Sequence, residues 1–232
     1  LGTRVPEHMV TGFMSQLPEA ARRRAEGVVH NPFRLNEEPH GFYIPALERG
    51  PGERFGVQGT MSPATGLCYV GAFGEAEPVD ANRLTLDGGT DTAGAPTVRI
   101  SYRWSPADLE LWRAETLAVA DLLESFQQES GIRLDQRLTT RVYNHLAAAG
   151  PPTPGSNHES GGARMGDDAR SGVVDPLGRM WEAQNVVIAD AAVFPSLPPP
   201  NPTLTAMALA VRACRYLATG SLEPAATDAQ PG

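Results

Sequence analysis

The sequence contains no lysine. All 19 cationic side chains are arginine, set against 27 carboxylates, for a formal net charge of −8 and a pI near 5.1. No basic stripe stands out, so phosphate-backbone binding has no footing and nucleic acid is not an expected partner. The run Arg22-Arg23-Arg24 reads as one solvated helix turn. The missing lysine points to GC-rich codon usage and says nothing of chemistry. Cysteine is nearly as scarce. Cys68 and Cys214 lie far apart and form no metal or redox motif. Cys214 falls inside a helical apolar pattern and reads as a small core residue. There is no transmembrane-length apolar run and no signal peptide, so a cytoplasmic protein without a membrane partner is expected.

What is present suffices for a folded core. Apolar residues make up 41% of 232. That length accommodates one large domain or two smaller ones. With 24 glycines and 21 prolines, the two together stay below the roughly 25–30% of low-complexity chains. The composition describes a globular protein rich in turns and irregular connections. The chain opens on Leu1 without a methionine, in mid-pattern, and is expected to be a fragment, a processed chain or a subunit of something larger.

Along the chain, "EPHGFYIPAL" (38–47) reads as a strand or loop bounded by prolines, and "TGLCYVGAFG" (65–74) as a β-rich run. In 82–105, Leu84 and Leu86 alternate with polar residues, as do Val98, Ile100 and Tyr102. That predicts two antiparallel strands with one wet face. A helix follows, with Ser105 as cap, Pro106 at the first turn and Asp108 completing a capping box. Its apolar face is predicted as Leu109, Trp112, Val119, Leu123 and Phe126, and Gly131 stops it. "AAAGPPTPGSN" (147–157) is a linker. "NVVIADAAVF" (185–194) reads as a buried strand ending at Asp190. "NPTLTAMALAVRACRYLATG" (201–220) reads as a helix with Asn201 as N-cap, Pro202 next and Gly220 as stop. The last residues, 221–232, form a polar tail.

Chemistry concentrates near the C-terminal end. A strand end at Asp190, small residues at Ala191 and Ala192, and a helix start at Asn201 describe a pocket for an anion or a cofactor. Free N–H groups and the helix dipole favour negative charge there. His158, in "NHESGGARMG" (157–166), is the one histidine in a suggestive setting, beside glycines that permit close backbone packing. Its ordinary pKa suits proton transfer. Against this, a lone loop histidine is more often solvent-exposed or structural. His8, His30, His40 and His145 read as structural or surface residues.

Taken in order, "HESGGARMG", "VVDPLGRMWEAQNVVIADAAVFPS" and "NPTLTAMALAVRA" resemble the C-terminal signature of the glucose–methanol–choline (GMC) flavoprotein oxidoreductases. The resemblance spans about 155–217, with a weaker likeness over 82–127. It implies an α+β or α/β fold: a substrate domain of antiparallel sheet and helices, mostly within 1–154, and an active-site segment over 155–220. That segment would contribute the C-terminal strand and helix of a Rossmann-like FAD domain. The resemblance also implies FAD as cofactor, His158 and Asn201 as catalytic residues, and Asp190, Ala191, Asn201, Pro202 and Thr203 as cofactor contacts. Arg164 and Met165 keep structural readings.

One departure from the family pattern is large. The Gly-x-Gly-x-x-Gly fingerprint is absent, and "GPGERFG" (50–56) has the wrong spacing and reads as a loop. The implied function is the catalytic half of an oxidoreductase acting on a sugar, glycoside or other alcohol. It would need an N-terminal FAD-binding portion that carries the fingerprint, as a separate chain or a cleaved segment. Two alternatives keep the fold: an FAD-containing lyase, and a non-catalytic subunit that completes a partner chain.

Overall fold

The computed structural model describes residues 1–19, 21, 40–62, 65–134 and 158–220. The Arg22–Arg24 run, His30, His145, the 147–157 linker, the boundary at 154/155 and the tail after 220 lie outside the described residues.

Four strands form an antiparallel sheet: β1 (His8–Gln16), β2 (His40–Glu48), β3 (Arg54–Met61) and β4 (Leu67–Glu75), in the order β1-β4-β3-β2. β1 lies in the stretch whose sequence pattern is weakest, yet it is buried along most of its length. Its HMVTGFMSQ sequence mixes apolar and polar residues on both faces, and His8, Thr11 and Ser15 are buried along with Met9 and Val10, so the period-two signal of a half-wet strand is missing. The "GPGERFG" stretch is the β2–β3 turn and entry to β3, closed by Glu53 N–H donating to the Gly50 carbonyl.

Helix α1 (Pro106–Ser130) packs on one face of the sheet. It starts as the sequence predicts: Ser105 accepts from the Asp108 N–H, and the Asp108 carboxylate accepts from the Ser105 N–H. Gly131 closes it in the left-handed region at φ 68°, where glycine carries no Cβ penalty. The buried stripe is Leu111, Ala114, Glu115 and Val119. It overlaps the predicted face at Val119, with Trp112 and Leu123 packed against the same core, whereas Phe126 is exposed. Met9, Phe55, Val57, Val70 and Ala72 of the sheet complete this core. Glu115 is fully buried in it, and neither carboxylate oxygen has a hydrogen-bond partner among the described residues. Burial pushes its carboxyl well above the usual range.

β5 (Arg83–Thr90) and β6 (Pro96–Ser101) form the predicted hairpin, with Leu84 opposite Ile100 and Leu86 opposite Val98. The expected buried face is not buried: all four of these side chains are exposed. No other described element covers that face.

The C-terminal region is compact but irregular. Val174, Val193, Phe194 and Leu197 form a second core. The 185–194 run is not a buried strand. Its one ladder contact before Asp190 is an isolated bridge between Arg179 and Val187, and Val186 is exposed. β-branched residues give an extended chain here, and no described strand lies beside it to complete a sheet. Helix α2 (Thr203–Thr219) ends at Gly220 in the left-handed region, as predicted. Leu204, Met207, Val211 and Leu217 are exposed on it. Cys214 is exposed as well, not a core residue. No helix among the described residues is long and apolar enough to cross a membrane.

Candidate active site

The sheet has two different faces because side chains alternate along each strand. Met9, Phe55, Val57 and Ala72 point towards α1. The register pairs His8 with Glu75 and Gly56 with Phe73, so His8, Glu75, Gly56 and Gln58 share the opposite face. The C-terminal segment 197–201 lies over that face. The Leu197 N–H donates to Glu75 Oε1 at 2.7 Å. Pro199 sits over Gly56, where an added Cβ would come within 3.3 Å of the proline ring. The Asn201 amide donates to Gln58 Oε1 at 3.3 Å.

The opening motif of the site is held by backbone pairing. Gly161, Ala163 and Met165 donate N–H bonds to the carbonyls of Ala191, Ala192 and Val193, at 3.2, 2.9 and 2.8 Å. Ser160 N–H donates to the Pro6 carbonyl on the other side. Gly161 needs to be glycine. Its φ is 71°, and a Cβ would lie 2.6 Å from Pro6 Cδ and 3.2 Å from the Arg4 and Phe194 carbonyls. The motif is therefore wedged between the N-terminal segment and the 191–194 turn. Ala163 is buried in it. Arg164 and Met165 use their backbones in this network, and Met165 packs against the second core, in keeping with their structural reading.

This wedge delivers His158 to the sheet. His158 Nδ1 is 2.9 Å from His8 Nδ1, with the rings edge to face and their centroids 4.9 Å apart. The other nitrogen of His8, Nε2, is 3.0 Å from the Pro198 carbonyl oxygen. His8 is almost wholly buried, and burial pushes its pKa down to about 4, aided by the nearby His158. His158 is half-buried, and desolvation lowers its pKa from the ordinary histidine value, partly opposed by Glu159. Both rings are neutral near pH 7.

Asn201 is not the cap of α2. Pro202 occupies that position with helical backbone and no side-chain bond to the first turn. The Asn201 side chain turns instead to Gln58, on the face that holds His8. Among the described residues no N-cap side chain bonds the first turn of α2, whose N–H groups carry the positive end of the helix dipole. Asp190 is exposed and its carboxylate is occupied: it accepts from the Ala192 N–H at 2.7 Å and caps the 3-10 turn Ala191–Val193. Asp190 thus shapes the backbone at Ala191 and Ala192, while Pro202 is buried and Thr203 exposed.

Of the residues singled out from sequence, the structure brings His158 and Asn201 to the same sheet face. Asp190 and Ala191 lie at the 3-10 turn and Pro202 and Thr203 at the start of α2, two elements in contact with each other. Sequence reasoning missed His8, Gln58, Glu75 and Pro198. The His8–His158 and His8–Pro198 contacts join residues 150 and 190 positions apart, a distance at which no local pattern carries a signal. No group of three or more His, Cys, Asp or Glu among the described residues is arranged to hold a metal.

Comparison with known proteins identifies the class of protein to which this fold and site belong. The GMC oxidoreductase family model matches residues 78–210, more than half of the chain. The chain belongs to this family, whose members are FAD-dependent flavoproteins, and it carries the family's C-terminal domain. Among curated relatives it is similar to 6'''-hydroxyparomomycin C oxidase of Streptomyces lividus, 34% identical over 60% of this chain and 23% of that protein. It is also similar to C-glycoside 3-oxidase of Microbacterium trichothecenolyticum, 31% identical over 87% of this chain and 36% of that protein. Formate oxidase of Aspergillus oryzae RIB40 shares the fold at 14% identity and a TM-score of 0.61, over 96% of this chain and 48% of that one. The chain thus spans less than half the length of each of these proteins.

The residues present fit one end of FAD. An uncapped helix start, with free N–H groups next to small residues, suits the electron-rich edge of a flavin ring. The phosphate-cradling glycine fingerprint for the other end is not in this sequence.

Proposed function

We propose that this chain is the catalytic half of an FAD-dependent oxidoreductase that oxidises a hydroxyl group of a sugar, glycoside or other alcohol. It works with an N-terminal FAD-binding portion, carried in the same polypeptide or on a separate chain. The observation that supports this reading is the convergence on one sheet face of a neutral half-buried histidine, His158, and the side-chain amide of Asn201. The names of two curated relatives, a 6'''-hydroxyparomomycin C oxidase and a C-glycoside 3-oxidase, support a sugar or glycoside as the substrate class.

When bound, FAD accepts the hydride that leaves the carbinol carbon. The work of this chain's residues is proton transfer and orientation. His158 is neutral near pH 7 because burial lowers its pKa, so it holds a lone pair for the hydroxyl proton. Asn201 donates an amide N–H to the substrate oxygen and holds it in line. The α2 start, Pro202–Thr203, would hold the electron-rich part of the bound cofactor through its positive dipole end. Ala191 gives the backbone a close approach to the cofactor, and Asp190 keeps that turn in shape.

The test is His158→Ala in the assembled holoenzyme. Turnover should fall ~10²–10⁴-fold, the usual worth of a positioned general base. Turnover near the wild-type rate would remove His158 from the chemistry. Anaerobic bleaching of the flavin absorbance by a sugar or alcohol should accompany turnover, and its absence with every hydroxyl compound in a broad panel would sink the hydride-transfer reading.

A further inference from the structure

His158 contacts a second histidine, and the bonding roles of that pair follow from one fixed acceptor. A carbonyl oxygen only accepts, so at 3.0 Å from the Pro198 oxygen, His8 Nε2 is the protonated nitrogen. A neutral imidazole carries one N–H. His8 Nδ1 is therefore a lone pair. It lies 2.9 Å from His158 Nδ1, which must supply the proton of that bond. His158 then has its lone pair on Nε2.

We propose that His8 is a positioning residue that fixes His158 in the Nδ1–H tautomer and leaves Nε2 as the base. The inference rests on the reading of His158 as the base, and it assigns the proton-accepting atom. Three observations support it. His8 is 1% exposed, so its ring is clamped by packing and by the edge-to-face contact with Phe73 at 6.0 Å. Its anchor is a proline carbonyl in the same loop that carries Asn201, so one side chain ties the His158 segment, the sheet and the Asn201 loop together. Burial also keeps His8 neutral throughout the working range of an ordinary histidine. A protonated His8 would present N–H from both nitrogens and force His158 to accept at Nδ1, which would leave Nε2 protonated and unable to act as base. Neighbours that set the tautomer of a working histidine in this way are known to matter as much as its position.

The test uses the full chain labelled with 15N-histidine. Long-range 1H–15N spectra at pH 8 report which ring nitrogen carries the proton, and the His158 signals are assigned by their loss in His158→Gln. Wild type should show His158 protonated at Nδ1. His8→Asn retains an acceptor where Nδ1 stood and should keep that tautomer. His8→Leu fills the volume without an acceptor and should lose it. In the holoenzyme, His8→Leu should slow anaerobic flavin bleaching by an alcohol or sugar ~10–100-fold, the usual cost of losing an orienting partner, with rescue in His8→Asn. A wild-type His158 protonated at Nε2 overturns the proposal, and that measurement does not depend on the leucine variant folding. An unchanged Nδ1–H signal in folded His8→Leu overturns it as well. If His158→Ala bleaches flavin at the wild-type rate, the base assignment fails separately, whatever the tautomer.

Discussion

Glu115 offers the sharpest energetic test of the fold. Its carboxyl is fully buried between α1 and β4, and neither oxygen is hydrogen-bonded among the described residues. A Cβ placed on Gly74 would meet both this carboxyl and Leu111 Cδ2, the latter at 2.6 Å, so no space for solvent exists on that side. An ionised carboxylate is strongly disfavoured in such a setting, and the group responds by staying protonated. The folded pKa is raised while the unfolded value stays at about 4.3. Stability from this group is therefore fully present below about pH 4.3 and is lost as pH rises through the raised folded value. Within that window the loss runs at roughly 1.4 kcal/mol per pH unit. Glu115→Gln keeps the shape and removes the proton equilibrium. Urea denaturation of both proteins from pH 5 to pH 8 should give nearly equal stability at the acid end. The variant should then gain on wild type by that slope with each unit of pH until the folded group titrates. Parallel stability curves across the range would refute the assignment of a protonated, unpartnered Glu115.

Other predictions concern the C-terminal region. Leu197→Ala empties a fully buried site in the second core, so it should lower stability by about 2–5 kcal/mol in denaturant titrations. It should also loosen the Pro198–Asn201 loop, which a weakened His8–His158 coupling in histidine NMR would report. Gly161→Ala places a Cβ against Pro6 and two carbonyls at positive φ. A loss of about 1–3 kcal/mol is expected, and an unchanged melting midpoint would contradict the wedge described above. The pH profile of kcat/KM for the holoenzyme should lose activity on the acid side as His158 takes a proton. Because desolvation lowers that pKa, the acid limb should fall below about 6.5, the ordinary histidine value.

Local signals wrote α1 and α2 into the sequence clearly. Ser105, Pro106, Asp108 and Gly131 are capping residues whose preferences are set within a few positions, and each acts as expected. The hairpin was legible from its alternation, but the exposure of Leu84, Leu86, Val98 and Ile100 was not. Alternation says that one face is apolar and leaves open what covers it. The 185–194 run misled for a related reason: β-branched residues favour an extended chain, and only a neighbouring strand makes that chain part of a sheet. The site was legible at His158 and Asn201 through motif resemblance. Asn201 was misread as a helix cap because asparagine is the commonest local choice there, while one of its two amide hydrogens in fact points to Gln58, far away in sequence. His8 could not be found from sequence at all. Nothing in "PEHMVTG" separates a strand histidine that holds another histidine from one that fills a core.

The clasp between His8 and the Pro198 carbonyl also sets a schedule for synthesis. The two residues are 190 positions apart. At about 5–20 residues per second, a ribosome takes on the order of 10–40 s to supply the second after the first. Throughout that interval the sheet face that will hold the histidine pair has no covering loop. The nascent chain can fold α1 onto its own side of the sheet early, but the histidine clasp closes only after residue 198 has been made. A chain that stops before residue 198 therefore leaves His8 without the acceptor that fixes its ring.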